Sequence, residues 1–380
     1  MKKKKLLYVM RYDLEENFNL KMKFDGQISS FQNLGYDAYY IAYDRKYFYL
    51  IKKDKKKVIG KTHFGLPGYI HTFFYIDLNR IVMKLMKSLI WDYVYWRFAP
   101  CWTTTYLASR SIYKNGAKYI LEFPTYTLVR EKQLSKLREL FFIYSDFWQK
   151  KMEKYVNCFV MIGEDAGGAY RGKPAINISN GINLDTLPIR TPKSDLECIH
   201  ILALASMSYW HGYDRLINSL ANYDGDQKVI IHMVGGNDGG SLLEWKELTD
   251  QLGLSEQVIF HGQKNGAELE EMFDLCDVGV NSMGMYRKGF TMTSELKARE
   301  YAARGLPFVC SVQDPALIDN KENLWLRISN DDSIPDMNEI VDFAMRMRAR
   351  PDHTLKLRKY AQEHMTWESQ YRKIFELVEE

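Results

Sequence analysis

The feature that most constrains the fold is a repeated alternation of short apolar segments with segments of helical periodicity. Residues 6–10 form an apolar run between charged residues, which is typical of a strand buried on both faces. Apolar side chains then recur at helical spacing from Leu20 to Phe31, and a second apolar segment follows at Asp37–Tyr43. Strand, helix and strand in this order predict a doubly wound parallel sheet.

The first half of the chain continues with more segments of the same kind. Residues 47–51 and 58–59 flank a run of lysines, which predicts a hairpin added to the sheet. Strands are predicted at 118–123 and 158–162, with a long helical region around 133–155 between them. These elements complete one α/β unit.

A second α/β unit is predicted beyond residues 177–195, where Gly, Pro, Asn, Asp and Ser concentrate as in a linker. At 380 residues the chain also exceeds one typical core, so two domains are expected. The strands of the second unit are predicted at residues 200–205, 228–234, 258–260, 278–282 and 307–311. Its helices are predicted at residues 213–222, 242–252, 267–276 and 294–304. Two such domains would face a central cleft, with ligands bound at the carboxyl ends of the strands.

Residues 73–102 are dense in aromatic side chains, with basic residues between them. Apolar side chains from Leu78 to Leu89 form one face of a helix. This face fits either a core helix or a helix lying in a membrane interface. The sequence leaves both alternatives open.

The net charge of +4 is mild and does not require nucleic acid as a partner. The excess is clustered at residues 2–5 and 52–57, where solvated lysines are the ordinary explanation. Such patches can also attract phosphates or an anionic membrane surface.

The five cysteines are scattered and lack any Cys-x-x-Cys spacing, so neither a disulfide framework nor a zinc knuckle is expected. A reducing, cytoplasmic compartment fits best. The apolar run at 6–10 ends too early at Arg11 for a signal peptide, and no stretch is long enough to span a bilayer.

Loops after the predicted strands of the second unit carry residues suited to a nucleotide. Gly212 would let the backbone approach a phosphate at a helix start, with His211 and Arg215 beside it. Gly235 follows the next strand in another glycine turn. Neither turn is the Gly-x-Gly-x-x-Gly pattern of dinucleotide-binding proteins, which argues against an NAD-dependent oxidoreductase.

The segment 283–304 offers the strongest candidate site. Cations at Arg287, Lys288 and Lys297 flank a helix N-terminus that would hold a diphosphate. The backbone amides at that N-terminus would be those of Thr293, Ser294 and Glu295.

Glu300 lies further along this helix and could accept hydrogen bonds from ribose hydroxyls. Alternatively, Glu300 pairs with Arg304 or Lys297 on a solvated helix face. Spacing does not decide between them.

The order of motifs from residue 177 to 312, above all EYAARGLPFV at 300–309, resembles glycosyltransferase family 4. That family consists of retaining enzymes of the GT-B fold, and the likeness is greatest to bacterial members that build surface polysaccharides. The resemblance implies an N-terminal acceptor-side domain at 1–178 and a C-terminal nucleotide-sugar domain at 179–362. It also implies a C-terminal helix, 363–380, that returns to the N-terminal domain.

The same match makes Glu300 the second Glu of the family's "Glu, seven residues, Glu" signature, which implies a ribose contact. The sequence departs from the family pattern at three places. Met292 stands where the first Glu is expected, and Glu295 is acidic but out of register. His211 replaces a lysine, so Arg215 and Arg287 are expected to take over its phosphate contact.

The third departure is in the first domain, where the family's histidine has no clear counterpart. Glu122 or Tyr126 is expected to face the cleft instead. Arg11, Tyr12 and Lys23 are further candidates for acceptor or phosphate contacts.

Together these patterns predict a cytoplasmic-side glycosyltransferase, with or without contact to the inner membrane face. It would use a nucleoside-diphosphate sugar, UDP-linked by preference, and transfer the sugar with retention to a glycan or lipid-linked glycan. Glu300, Arg287 and Arg215 are the predicted catalytic residues, and neither a metal nor an obligatory cofactor is expected. The alternatives are a non-catalytic nucleotide- or glycan-binding relative, suggested by Met292, and a sugar-nucleotide epimerase or hydrolase.

Overall fold

The computed structural model describes residues 3–15, 18–44, 46–62, 71–98, 100–123, 136–162, 167–193, 197–236 and 240–379, without the side chains of 18–22, 71–73 and 136–138. The chain divides into two compact units. One comprises Met1–Ile178 together with Gln370–Glu380, and the other comprises Ser179–Ser369.

The described strands of the first unit are β1 (Lys5–Val9), β2 (Asp37–Tyr43), β3 (Tyr47–Lys52), β4 (Lys55–Lys61), β5 (Tyr93–Arg97), β6 (Lys118–Phe123), β7 (Cys158–Ile162), β8 (Ala169–Tyr170) and β9 (Lys173–Ile178). They form one sheet in the order β4-β3-β2-β1-β5-β6-β7-β9-β8. The strands from β2 through β9 in this order are parallel, whereas β3, β4 and β8 pair antiparallel at the two edges.

The helices of this unit before the linker are α1 (Phe18–Asn33), α2 (His71–Ser88), α3 (Thr103–Asn115) and α4 (Lys136–Met152). The apolar stripe of α2, which includes Leu78 and Val82, is buried in the main core with α3 and the sheet. The stripe of α2 is therefore core rather than a membrane-facing surface, whereas Leu89 and Ile90, just after the helix, are exposed. Residues 73–102 also include β5, a strand that the sequence analysis did not predict.

The predicted hairpin forms, but its lysine run does not lie at the tip. The turn is at residues 53–54, and Lys55, Lys56 and Lys57 belong to β4 itself. Because β4 is an edge strand, its lysine side chains reach solvent, and such charges discourage pairing with another sheet.

The strands of the second unit are β10 (Cys198–Leu204), β11 (Lys228–Val234), β12 (Val258–Gly262), β13 (Val278–Val280), β14 (Phe308–Cys310) and β15 (Trp325–Arg327). All pair parallel, in the order β12-β11-β10-β13-β14-β15. The chain moves outward from β10 in both directions. The gap between β10 and β13 is therefore the topological switch point, where ligands of open parallel sheets bind.

The helices of the second unit are α5 (Tyr213–Ala221), α6 (Leu242–Gln251), α7 (Ala267–Leu275), α8 (Leu296–Arg304), α9 (Met337–Arg348) and α10 (His353–His364). Side chains of α5, α6 and α9 pack on one face of the sheet, and side chains of α7, α8 and α10 pack in a separate core cluster. The prediction of two doubly wound α/β units is confirmed.

The last helix, α11 (Trp367–Glu379), belongs to the first unit from Gln370 onward. Tyr371 stacks on Phe31 of α1, with ring centroids 4.4 Å apart, and Phe375 meets Tyr93 of β5 edge-on at 5.3 Å. Aromatic packing of this kind fixes the helix on the face of the sheet opposite α2 and α3.

Three histidines on adjacent strands of the second unit form a chain of hydrogen-bonded imidazoles. His232 of β11 lies 2.9 Å, between ring nitrogens, from both His200 of β10 and His261 of β12. Burial, with its two imidazole neighbours, lowers the pKa of His232 to about 4. The His232 ring is therefore neutral at physiological pH.

Among the described helices, none combines the length and the apolar character needed to cross a bilayer.

Candidate functional site

A tyrosine hydroxyl bridges the ends of the two strands at the switch point of the second sheet. The hydroxyl of Tyr213, the first residue of α5, lies 3.1 Å from the carbonyl oxygen of Leu204 and 3.2 Å from that of Val280. Leu204 ends β10 and Val280 ends β13. Tyr213 thus ties together the two strand ends between which a ligand would enter.

The loops at this edge meet through glycines. Gly212 has a φ of 66°, and a Cβ there would lie 2.5 Å from the backbone nitrogen of Gly284. Gly235 has a φ of 142°, and its Cβ would lie 1.6 Å from the carbonyl oxygen of Ala205. Both glycines are therefore required for loop-to-loop packing, and their close approach to a ligand stays a prediction.

Lys297 points to this switch point from the first turn of α8. Its ammonium donates to the Ser282 hydroxyl at 2.8 Å and lies 3.4 Å from the Tyr213 hydroxyl. The nearest carboxylate oxygen paired with it belongs to Glu295, at 3.9 Å. The side chain is only 14% exposed, and burial lowers the pKa of Lys297 to about 8. Lys297 is thus a buried cation with weak charge compensation.

His211 lies beside Lys297 as a neutral hydrogen-bond donor. Its Nδ1 accepts a hydrogen bond from the backbone N–H of Ser208 at 3.0 Å. Burial and the nearby charges of Lys297 and Lys288 lower the pKa of His211 to about 3. The ring proton is therefore on Nε2, and His211 offers a neutral N–H group.

Arg287 and Arg215 are both bonded to neighbouring loops. Arg287 forms a two-bond ion pair with Asp214, at 2.9 and 2.6 Å, and donates to the Tyr209 carbonyl at 2.7 Å. Arg215 is buried and donates to the backbone carbonyls of Met283, Ser329 and Ser333. Both guanidinium groups therefore hold neighbouring loops, and their predicted roles in catalysis stay predictions.

Lys288, by contrast, is exposed, and its ammonium lies 3.3 Å from the centre of the Trp210 ring. No described side chain forms an ion pair with it. The Lys288 ammonium is therefore accessible, and its contact with a phosphate group stays a prediction.

The loop before α8 differs from the predicted helix start, since α8 begins at Leu296 with Glu295 as its N-cap. Ser294 is held by the linker: its hydroxyl accepts from the Asn180 N–H at 2.5 Å and lies 2.9 Å from the Ser179 hydroxyl. Ser294 therefore has a structural role.

Buried oxygens in the same region have no hydrogen-bond partner within the described part of the chain. They are Thr293 Oγ1, Glu295 Oε2 and, after β13, Asn281 Oδ1. Unpaired buried oxygens are costly unless a donor such as a ligand hydroxyl meets them.

Glu300 is not the partner of Lys297, and its pairing with Arg304 is loose. Arg304 donates two hydrogen bonds to Glu270, each 2.8 Å long, and lies 3.7 Å from the nearer oxygen of Glu300. Burial raises the pKa of Glu300, opposed by Arg304 and reinforced by Glu270. No described side chain donates a hydrogen bond to this carboxylate, which is 33% exposed and able to accept one from a ligand.

Sequence reasoning missed the most buried charge of α8. Arg299 is fully buried and forms a two-bond ion pair with Asp314, while its Nε donates to the Asn180 carbonyl at 2.9 Å. It also donates to the Ser179 hydroxyl. Several charged side chains of α8 therefore face the protein interior. Their spacing in the sequence did not distinguish this helix from one with a solvent-exposed charged face.

Tyr213 and Ser282 were also missed. Ser282 is the last residue of a predicted strand and Tyr213 is the first residue of a predicted helix, and these positions beside strand-to-helix loops are the signal that could have identified them. Neither residue type is by itself diagnostic of a nucleotide site.

Three of the candidate residues in the first unit form hydrogen bonds within that unit. Glu122 is fully buried, accepts from the Tyr95 hydroxyl at 2.7 Å and lies 3.7 Å from Arg97. Arg11 donates to the Tyr43 hydroxyl and Tyr12 to Asp25, at 2.9 and 2.7 Å.

Lys23 is partly buried, and its predicted contact with an acceptor or phosphate stays a prediction. Tyr126 lies outside the described residues. Within those residues, no group of three His, Cys, Asp or Glu side chains is arranged to hold a metal ion.

Comparison with known proteins gives one family match. Residues 191–363, which lie within the second unit, match the family of glycosyl transferases group 1. No curated protein matches the chain by sequence.

Solved structures similar to this chain cover nearly all of it. A glycosyltransferase from Rickettsia africae has a TM-score of 0.65 at 13% identity, covering 100% of this chain and 98% of its own. Anabaena HepE in complex with UDP has a TM-score of 0.61 at 12% identity, covering 99% of each chain. The catalytic domain of starch synthase IV from Arabidopsis thaliana, bound to ADP and acarbose, has a TM-score of 0.64 at 9% identity, covering 100% of this chain and 99% of its own.

The second unit therefore resembles the group 1 glycosyl transferases over residues 191–363, and the chain as a whole has the fold of the GT-B glycosyltransferases.

Proposed function

We propose that this protein is a retaining hexosyltransferase that moves a sugar from a nucleoside-diphosphate sugar to a glycan or lipid-linked glycan. The proposed setting is bacterial surface-polysaccharide synthesis on the cytoplasmic side of the membrane, without an obligatory metal. The family match of the second unit and the nucleotide-bound solved structures of the same fold support this function.

The observation that carries the proposal is the weak charge compensation of Lys297. A cation taken out of water needs a counter-charge, yet the nearest groups are two hydroxyls and one carboxylate oxygen at 3.9 Å. Its location at the switch point is where a parallel sheet binds a nucleotide. A diphosphate placed there would supply the missing negative charge.

The surrounding groups suit the rest of the donor. His211 would donate from Nε2, and Lys288 would add a second positive charge beside the diphosphate. Glu300 would accept hydrogen bonds from ribose hydroxyls. Hydroxyls of the donor sugar or ribose would satisfy the orphaned oxygens of Thr293 and Glu295.

These groups would act mainly on the leaving diphosphate. When the bond between the anomeric carbon and the phosphate oxygen breaks, negative charge grows on that oxygen. Lys297 and the His211 N–H would stabilise this charge in a water-poor site, where electrostatic interactions are strong. No side-chain nucleophile is required by this arrangement.

UDP is the favoured donor nucleotide, because HepE was solved with UDP and shares the fold over 99% of both chains. Starch synthase IV was solved with ADP, so the identity of the donor base is the first property to measure.

The test is a thermal-shift series with UDP, GDP, ADP, CMP and NAD on the unaltered protein, Glu300→Gln and Glu270→Gln. A ligand that binds only the folded state raises the melting temperature by mass action. We expect one nucleoside diphosphate to shift the unaltered protein and Glu270→Gln. Glu300→Gln should bind it roughly ten times more weakly, as expected for a lost hydrogen bond to a charged group.

Glu270→Gln is the control because it removes a carboxylate that bonds Arg304 rather than the ligand. Equal weakening by both variants, or no shift with any nucleotide, would contradict the site. Binding without sugar release from any donor would instead favour the non-catalytic relative, which Met292 in place of an expected Glu suggests.

A further inference from the structure

Helix α4 of the first unit exposes a stripe of large apolar side chains. Leu140, Ile143 and Phe147 are spaced three and four residues apart, so they share one face of the helix. They are 63%, 63% and 51% exposed, and Phe142 and Tyr144 beside them are exposed as well. A folded domain gains nothing from presenting this stripe to water.

The stripe is not needed to hold α4 in place. Ser145 and Met152 are buried on the opposite side of the helix, and Trp148 packs on Tyr106 of α3 with ring centroids 5.6 Å apart. The Ser145 hydroxyl also accepts a hydrogen bond from the Cys101 N–H at 2.8 Å. The helix is thus anchored by one face while the other remains apolar and open.

The apolar surface continues onto α3. Leu107 and Tyr113 are exposed on that helix, at 40% and 65%. Tyr113 lies 5.5 Å from Tyr155, which follows α4, so the two helices present one surface. We call it the α3–α4 face.

Basic side chains border this face. The exposed basic residues are Arg110 and Lys114 of α3, Lys150 and Lys151 at the end of α4, and Lys154 just after α4. These cations stand close to the aromatic rings. Lys151 lies 5.6 Å from the Phe147 ring, and Lys154 lies 5.0 Å from the Tyr155 ring.

Acidic side chains do not balance this charge. Asp146 pairs with Lys150 at 2.6 Å, and Glu139 is exposed at the start of the helix. The described part of the face therefore keeps an excess of positive charge around its apolar stripe.

We propose that the α3–α4 face is a docking surface for an anionic lipid bilayer. Exposed apolar and aromatic side chains enter the boundary between head groups and acyl chains, and flanking lysines and arginines bind the anionic head groups. Charge complementarity favours a bilayer over a protein partner, because five exposed cations gather at the C-terminal ends of both helices beside the apolar stripe. The contact is peripheral, since the helix lies along the surface.

This inference does not depend on the proposed transferase activity, because lipid binding is measured without any sugar donor. It also moves the expected membrane contact from residues 73–102, whose apolar stripe is buried, to α4.

The test is co-sedimentation of the full chain with vesicles of equal parts phosphatidylglycerol and phosphatidylcholine, and with pure phosphatidylcholine. We expect binding to the anionic vesicles that weakens as salt is added. The double variant Leu140→Asp/Ile143→Asp should reduce binding by at least roughly tenfold. Lys150→Ala/Lys151→Ala should reduce it by about fivefold per lysine.

Matched controls exist in the second unit. Leu355 and Ile318 are each 63% exposed, as are Leu140 and Ile143, so Leu355→Asp/Ile318→Asp repeats the chemistry away from the α3–α4 face. Lys321→Ala/Lys359→Ala, at two exposed lysines, is the control for charge. Both control variants should bind vesicles like the unaltered protein.

Any of three results would overturn the proposal. The first is equal loss in the control and α4 variants, and the second is equal binding to vesicles with and without phosphatidylglycerol. The third is an absence of vesicle binding. If the third is accompanied by concentration-dependent dimerisation that Leu140→Asp/Ile143→Asp abolishes, a second copy of the chain covers the face instead.

Discussion

Lys297 donates a 2.8 Å hydrogen bond to the hydroxyl of Ser282, and this contact joins α8 to the loop that follows β13. A hydroxyl cannot neutralise an ammonium, so the contact orients the charge without compensating it. Burial accordingly lowers the pKa of Lys297 from 10.5 to about 8. A buried ammonium of this kind destabilises the unliganded protein but favours the binding of an anionic ligand.

The first prediction is that Lys297→Met stabilises the protein without ligand and abolishes its response to nucleotide. Methionine fills similar space without the desolvated charge, and the lowered pKa corresponds to a penalty of at most about 3 kcal/mol at neutral pH. We expect a gain of roughly 1–2 kcal/mol in the free energy of unfolding, measured by urea denaturation.

Lys373→Met is the matched control for that variant. Burial also lowers the pKa of Lys373, which lies on α11 of the first unit. Its nucleotide response should be unchanged. A Lys297→Met protein that is less stable than the unaltered chain, or that still binds nucleotide, would assign Lys297 a structural role.

The second prediction concerns pH and nucleotide binding. Only the protonated form of Lys297 attracts the diphosphate, and half of the unliganded protein loses this proton near pH 8. Affinity should be constant below that pH and fall as pH rises through it, by up to tenfold for each further pH unit. The bound diphosphate raises the pKa of Lys297, so binding at pH 8 should take up protons.

Calorimetry at pH 8 in two buffers of different ionisation enthalpy measures that uptake directly. Identical heats in both buffers would contradict a titrating Lys297. Lys297→Met, if it retains any binding, should show no proton uptake at this pH.

The order of the helices and strands could be predicted from the sequence, but the contacts of their charged side chains could not. β2, β6, β7 and β11 occupy the predicted residues, because buried parallel strands are continuous apolar runs. β5 was missed because its aromatic residues continue a helical apolar stripe without a break.

Side-chain roles could not be read in the same way. Arg287 and Lys297 both stand near the predicted diphosphate site in sequence, yet Arg287 is paired with Asp214 and Lys297 is not paired at comparable distance. The distinction depends on Asp214, a residue about seventy positions away whose proximity only the fold determines. Spacing along one helix likewise could not show that Arg299 points at Asp314.

The third prediction follows from the imidazole chain. The pKa of His232 is about 4 in the folded protein and 6.5 in the unfolded chain. Between these values the unfolded state binds more protons, so stability is fully present above pH 6.5 and is lost as pH falls toward 4. For His232 the loss is at most about 3 kcal/mol.

His232→Phe retains an aromatic ring and removes this titration, so its stability should fall less steeply between pH 6.5 and 4 than that of the unaltered protein. His364→Phe is the control, since His364 of α10 contacts the ring of Tyr360 at 4.5 Å but lies outside the imidazole chain. Parallel pH profiles for the unaltered protein and His232→Phe would show that acid sensitivity arises elsewhere.

The fourth prediction concerns the buried ion pair between Arg299 and Asp314. Removing one partner leaves the other charge buried without compensation, so Arg299→Met or Asp314→Leu alone should lower the free energy of unfolding by roughly 3–5 kcal/mol. The double variant removes both charges together. It should therefore recover most of that loss, as measured by urea denaturation of all three variants and the unaltered protein.

The double variant still lacks the hydrogen bonds from Arg299 to the Asn180 carbonyl and the Ser179 hydroxyl. These bonds hold the linker against the loop before α8, where Ser294 also contacts it. A double variant that regains stability but binds nucleotide more weakly would show that Arg299 positions this loop. If the double variant is as unstable as the single variants, the linker contacts rather than the ion pair carry the stabilisation.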